Sequence, residues 1–110
     1  MIKVNIFQNL NNECVGFSVS GHAGAGVAGE DIVCSAVSIL VINTINSIES
    51  FTKDEFTLLT DEETGMIEFN LQNKPSESAT LLLKTMILGL QSIEDDNNYE
   101  EYIDIIFEEV

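Results

Sequence analysis

From Ile32 to about Ser50 the chain carries no glycine and no proline, and its apolar residues occupy almost the whole circumference of a helix. On a 3.6-residue period, Ile32, Val33, Ala36, Val37, Ile39, Leu40, Val41, Ile42, Ile45 and Ile48 leave only a thin polar seam of Ser35, Ser38, Asn43, Asn46 and Glu49. A helix apolar nearly all round has to be covered on both sides. Asp31 stands where an N-cap belongs, so the pattern predicts a first helix that starts at Ile32.

The flanking sequence supplies strands as cover. Ile2, Val4 and Ile6 alternate with Lys3 and Asn5 across residues 2–9, the turn formers Asn9 to Glu13 follow, and Cys14 to Ser20 alternates again, which reads as a hairpin. Phe56 to Leu59 and Met66 to Leu71 flank the polar turn Thr60 to Gly65 as a second hairpin. Beyond Lys74-Pro75-Ser76, the segment Glu77 to Glu94 predicts a second apolar helix through Leu81, Leu82, Leu83, Met86, Ile87, Leu90 and Ile93, capped by Ser76 or Ser78. After the acidic loop Glu94 to Asn98, residues 102–107 alternate weakly as a last strand. The order is ββαββαβ. With no repeat, linker or low-complexity tract, residues 1–110 are expected to form one α+β domain, a layered sandwich with the two apolar helices packed between strands, and a dimer offers another way to cover a helix face.

Nineteen acidic residues against 4 basic ones set a formal charge of −15, while 45% hydrophobic content keeps the chain out of the disordered class. Such a field repels phosphate backbones and attracts basic proteins, so no nucleic-acid partner is expected; it also serves simply to keep an apolar domain soluble. The start Met1-Ile2-Lys3-Val4-Asn5 has neither the charged nor the apolar region of a secretory signal, so the two cysteines, Cys14 and Cys34, are expected in a reducing cytoplasm. The longest apolar run, Ile39 to Ile42, falls far short of the ~20 residues of a membrane span, and no membrane association is expected.

The chemistry concentrates at the head of the first helix. Gly21 is followed by His22-Ala23-Gly24-Ala25-Gly26-Val27-Ala28-Gly29-Glu30-Asp31, a stretch holding three of the seven glycines and the only histidine. Cys34, the third residue after Asp31, is expected in the first helical turn, where unpaired N–H groups and the helix dipole lower a thiol pKa. A loop folded back on itself lets His22 take the Cys34 proton and return it to a leaving amine, with N–H groups of the loop or helix start facing the oxyanion. For Asp31 the capping role is preferred over orienting His22, because a carboxylate beside Cys34 opposes thiolate formation. Ser38 shares the helix face of Cys34 and is expected at the floor of the site. Against this stands the plainer reading that a lone helical cysteine is a small hydrophobe, which is the reading given to Cys14, and that a solitary histidine at a strand end is structural.

Gly24 to Gly29 also spells GxGxxG between a strand and a helix. All three glycines precede the predicted cap, Glu30-Asp31 would face a pyrophosphate, and the flanking strands read as hairpins, so a dinucleotide site is disfavoured. Gly21, Gly24, Gly26 and Gly29 are read instead as a flap that approaches a peptide substrate's backbone. One histidine and two cysteines at this spacing cannot close a zinc site, and the acidic turns at Asp61-Glu62-Glu63 and Asp95-Asp96 lack EF-hand spacing, so neither metal nor cofactor is expected.

Gly21-His22-Ala23, followed by Gly29-Glu30-Asp31-Ile32-Val33-Cys34-Ser35-Ala36-Val37-Ser38, closely resembles the signature of the ribosomal-processing cysteine protease (Prp) family. The likeness extends over the whole chain, in length, in element order and in the second helix around Leu83-Lys84-Thr85-Met86-Ile87-Leu88-Gly89-Leu90. The resemblance implies a cytoplasmic, metal-independent endopeptidase that removes a short N-terminal extension from a large-subunit ribosomal protein. It implies Cys34 as nucleophile, His22 as base, supporting roles for Asp31 and Ser38, and a homodimer with the helices sandwiched between strands. One departure is that Gly24 to Ala28 carry only glycine, alanine and valine where the family loop often bears bulky or charged side chains, so contacts made by such side chains do not carry over. A noncatalytic acidic module that binds a basic ribosomal protein or assembly factor is the competing reading.

Overall fold

The computed structural model describes residues 1–21 and 28–110. Its elements are β1 (Ile2–Gln8), β2 (Cys14–Ser20), α1 (Ala28–Phe51), β3 (Phe56–Asp61), β4 (Met66–Leu71), α2 (Glu77–Glu94) and β5 (Ile103–Glu109), with one 3-10 turn, Glu100–Tyr102, leading into β5. The α+β class and the ββαββαβ order agree with the sequence pattern.

The five strands form one sheet in the order β3-β4-β2-β1-β5. Both hairpins are antiparallel, and β2 joins them by pairing with β4. The exception is β5, which runs parallel to β1 in register from Ile2 opposite Ile103 to Gln8 opposite Glu109. A parallel neighbour demands a long crossover, and here the remainder of the chain is that crossover. The turn after β1 is set locally: the Asn9 side-chain carbonyl accepts from the backbone N–H groups of Asn11 (2.9 Å) and Glu13 (3.0 Å), and Asn12 takes φ 60°. Phe7 lies opposite Gly16 but Gln8 opposite Cys14, so Val15 is the extra residue of a bulge.

Alternation puts Ile2, Val4, Ile6, Phe17, Val19, Phe69 and Ile103 on one face of the sheet. There they meet Val33, Val37, Val41, Ile45 and Ile48 of α1 and Leu83, Met86 and Leu90 of α2 in a single core. Phe69 links two further rings, stacking on Phe17 at 5.1 Å and meeting Phe56 at 4.8 Å. Gly89 allows the helices to approach, since a β-carbon there would press on the Leu40 side chain at 3.0 Å. The molecule thus has two layers, sheet and helices. A second layer over the helices is not supplied by the described residues of one chain, and Ile32, Ile39, Ile42, Leu81 and Leu88 remain exposed.

Two sequence expectations change. First, α1 begins at Ala28, so Asp31 is a helical residue of the first turn and not the N-cap. The physical reason is tertiary: Gly29 is pressed against the Tyr102 ring and the Glu30 carboxylate lies 3.2 Å from the Met1 ammonium, contacts that overrule a local capping signal. Second, Gly29–Phe51 is long and apolar enough to cross a membrane by length and composition, which the short run Ile39 to Ile42 did not suggest. A core helix passes the same test, and the Val33-Val37-Val41-Ile45-Ile48 stripe of α1 is buried against the sheet.

The start of α2 follows the sequence reading. Ser76 is its N-cap and accepts from the Ala79 N–H at 3.1 Å, while its own hydroxyl and N–H donate to the Asp54 carboxylate at 2.5 and 2.9 Å. Burial pushes the Asp54 carboxyl up, but the hydrogen bonds from Ser76 and Thr52 outweigh it and hold the group below its ordinary value. A carboxyl lowered by folding contributes stability above its unfolded pKa, and that contribution disappears as pH falls through the lowered folded value. Ser76→Ala is accordingly expected to cost about 1 kcal/mol in urea melts at neutral pH. The gap between wild type and Asp54→Asn should close as the melts are repeated toward about pH 3, below the ordinary Asp pKa.

Candidate active site

Cys34 is half-buried on α1, and because the helix begins at Ala28 it falls in the second turn, not the first. The N-terminal dipole effect fades beyond the first turn. The expected lowering of the thiol pKa is correspondingly reversed. Burial pushes the thiol up, a hydrogen bond from the Ser38 hydroxyl pulls it down, and the charges of Asp31 and then Glu30 push it up again, with a raised value as the result. Ser38 is therefore within hydrogen-bonding reach of the sulfur. It also borders a groove with Ile39, Ile42, Asn43 and Asn46 on the exposed side of α1.

Cys14 contrasts with this. It is 8% exposed, donates from its thiol to the Gly16 carbonyl at 3.4 Å, and is pushed up to about 11, chiefly by burial. That is the environment of a structural cysteine, and neither cysteine is in a disulfide.

His22, Gly24 and Gly26 lie outside the described residues, but both ends of their loop are defined. At the entry, Gly21 has φ 87° and a β-carbon there would collide with the Met1 carbonyl, so two separate constraints demand glycine. At the exit, Gly29, expected in the flap, is the second residue of α1; a β-carbon on it would stand 2.6 Å from the Tyr102 ring. Glu30 next to it reaches back to the Met1 ammonium. Entry and exit thus both contact Met1. His22 directly follows the Gly21 anchor, and Cys34 lies one helical turn beyond Glu30.

Met1, Glu30 and Tyr102 are the contributors that sequence reasoning missed. Glu30 read only as part of an acidic helix start, and nothing local distinguishes Tyr102 from the acidic residues around it. The dinucleotide alternative loses its remaining structural basis, because β2 and β3 on either side of α1 are not neighbours: β4 lies between them. Among the described residues no group of three or more His, Cys, Asp or Glu side chains is arranged to hold a metal.

The surroundings predict how the thiol behaves. Iodoacetamide should label Cys34 far faster than Cys14 in the folded protein. Asp31→Asn removes a charge that raises the Cys34 pKa and should shift its alkylation profile to lower pH, whereas Ser38→Ala removes a donor and should shift it to higher pH. Mass spectrometry across a pH series reads both shifts, and shifts of the opposite sign would contradict this electrostatic account.

The family model described as cysteine protease Prp matches residues 1–104. The ribosomal processing cysteine protease Prp of Staphylococcus aureus (strain Mu50) is 31% identical over 98 residues, covering 89% of this chain and 92% of that protein. The crystal structure of the essential ribosomal processing protease Prp from S. aureus in complex with a substrate peptide superposes with a TM-score of 0.91 at 29% identity, over 98% of this chain and 100% of that one. The same protease with a covalently linked product peptide gives a TM-score of 0.87 at 30% identity, with the same coverage.

Proposed function

The chain belongs to the cysteine protease Prp family, and from that membership we propose that it cleaves the N-terminal extension from a large-subunit ribosomal protein, with Cys34 as nucleophile and His22 as general base. The observation that carries the residue assignment is the convergence of both loop ends on Met1, next to the helix that bears Cys34. The substrate class rests on the relatives, whose names give ribosomal processing and one of which is known with a substrate and with a covalently linked product peptide.

In this reading His22 accepts the Cys34 proton while the sulfur bonds to the scissile carbonyl carbon. The tetrahedral intermediate collapses, the imidazolium returns its proton to the departing amine, and a thioester remains on Cys34. Water, deprotonated by His22, then hydrolyses the thioester and releases the second product. Asp31 and Glu30, which oppose a standing thiolate, favour the imidazolium that appears in each step. Ser38 orients the sulfur through its hydrogen bond. The flap glycines Gly21, Gly24 and Gly26 leave the substrate backbone room to approach.

The site needs no metal and no cofactor in this reading. A charge of −15 suits a basic ribosomal protein precursor as substrate and disfavours nucleic acid, and the place of action is the cytoplasm, where no membrane is involved. A homodimer that joins helix layers would bury Ile32, Ile39, Ile42, Leu81 and Leu88 and so place the helices between two sheets.

Cys34→Ala and His22→Ala are each expected to abolish cleavage of the extended ribosomal protein, followed by intact mass. Cleavage that persists in Cys34→Ala overturns the nucleophile assignment, and binding without any cleavage by the wild type would favour the noncatalytic module.

A further inference from the structure

We propose that Tyr102 is a positioning residue for the protease: its ring is the stop against which Gly29 seats, and this contact fixes the exit of the loop 22–27 and the onset of the helix that carries Cys34. The inference rests on the His22/Cys34 reading and extends it to a residue far away in sequence.

The geometry is close-fitting. A β-carbon on Gly29 would lie 2.6 Å from Tyr102 Cε2, 3.1 Å from Cζ and 3.2 Å from the hydroxyl oxygen, so the ring edge rests directly on the glycine backbone. No other residue type allows that approach without displacing either the ring or the helix. The ring is itself held. It packs against the margin of the core, and the next residue, Ile103, is 3% exposed and paired with Ile2. Glu30 is near enough for its charge to act on the Tyr102 hydroxyl.

Tyr102 therefore ties the loop exit to the same strand pair that anchors the entry, since Gly21 is pressed against the Met1 carbonyl and Met1 leads directly into Ile2. Entry and exit are registered through β1 and β5. Cys34 lies five residues beyond Gly29 on one continuous helix, so a shift of the Gly29 seat moves the sulfur relative to the loop that carries His22. A ring that acts in this way touches neither substrate nor reacting atoms, and its deletion should alter kcat more than KM.

The test uses the full chain and a peptide spanning the cleavage junction, with kcat, KM and the thermal midpoint measured for each variant. Gly29→Ala is expected to lower kcat on the order of tenfold to a hundredfold, the scale of a displaced catalytic group, with KM little changed. Tyr102→Phe keeps the ring edge and should keep kcat near wild type, while Tyr102→Leu should lower it. The double variant Gly29→Ala/Tyr102→Leu, which removes the clash, should recover part of the kcat lost in Gly29→Ala. A purely structural contact would lower thermal midpoints without changing the kcat of the folded enzyme. Folded Gly29→Ala with wild-type kcat, or a double variant no faster than Gly29→Ala, overturns the proposal. Should Gly29→Ala fail to fold, Tyr102→Leu decides, and unchanged kcat there overturns it. Cys34→Ala is assayed alongside: cleavage surviving in that variant overturns the nucleophile reading, whereas an inactive Cys34→Ala beside unaffected Tyr102 and Gly29 variants overturns only the positioning role.

Discussion

The parallel pairing of β1 with β5 is the contact on which the rest of the molecule depends. It joins the two ends of the chain in one seven-pair ladder, Ile2 with Ile103 through Gln8 with Glu109, and it leaves β1 enclosed between β2 and β5 with Ile2, Val4 and Ile6 inaccessible to solvent. Closing so long a segment carries an entropic cost that only many simultaneous contacts offset. One of them finishes α2: the Glu94 carboxylate, at the helix end, accepts from the Ile105 N–H of the edge strand at 3.0 Å. Because β5 arrives beside β1, Tyr102 arrives beside Met1, and the loop that carries His22 acquires fixed ends.

The same acidic residues serve two demands that pull in opposite directions. Glu30 and Asp31 in the first turn of α1 suit the positive end of the helix dipole and favour the helix. One turn further on they disfavour a negative sulfur and raise the Cys34 thiol. The helix start and the thiol thus place opposite demands on the same two carboxylates.

Packing explains why α1 looks like a membrane helix in composition. Its buried stripe, Val33-Val37-Val41-Ile45-Ile48, follows the spacing of one helix face and meets the sheet, whereas Ile32, Ile39 and Ile42 point away from it into solvent in the single chain. One chain supplies two layers, sheet and helices, and its described residues leave this side of α1 uncovered. Ile39 and Ile42 line one groove with Ser38, so the exposed apolar face of α1 and the candidate site are neighbours on one helix.

Local chemistry determined much of this protein from its sequence. Period-two alternation marked the first hairpin and a polar turn the second, the run from Ile32 without glycine or proline marked the first helix, apolar residues after a Ser76 or Ser78 cap marked the second, and Gly21-His22 with Cys34 and Ser38 marked the candidate site. These are readable because backbone propensity, alternation and spacing act over a few residues. Tertiary structure decided the pairing of β5 with β1, the beginning of α1 at Ala28 in place of Ile32, the consequent move of Asp31 from cap to first turn and of Cys34 to the second turn, and the seating of Gly29 on Tyr102. Each of these depends on residues distant in the chain that meet only when the sheet closes, and a capping preference worth about 1 kcal/mol yields to contacts made by an entire strand pair.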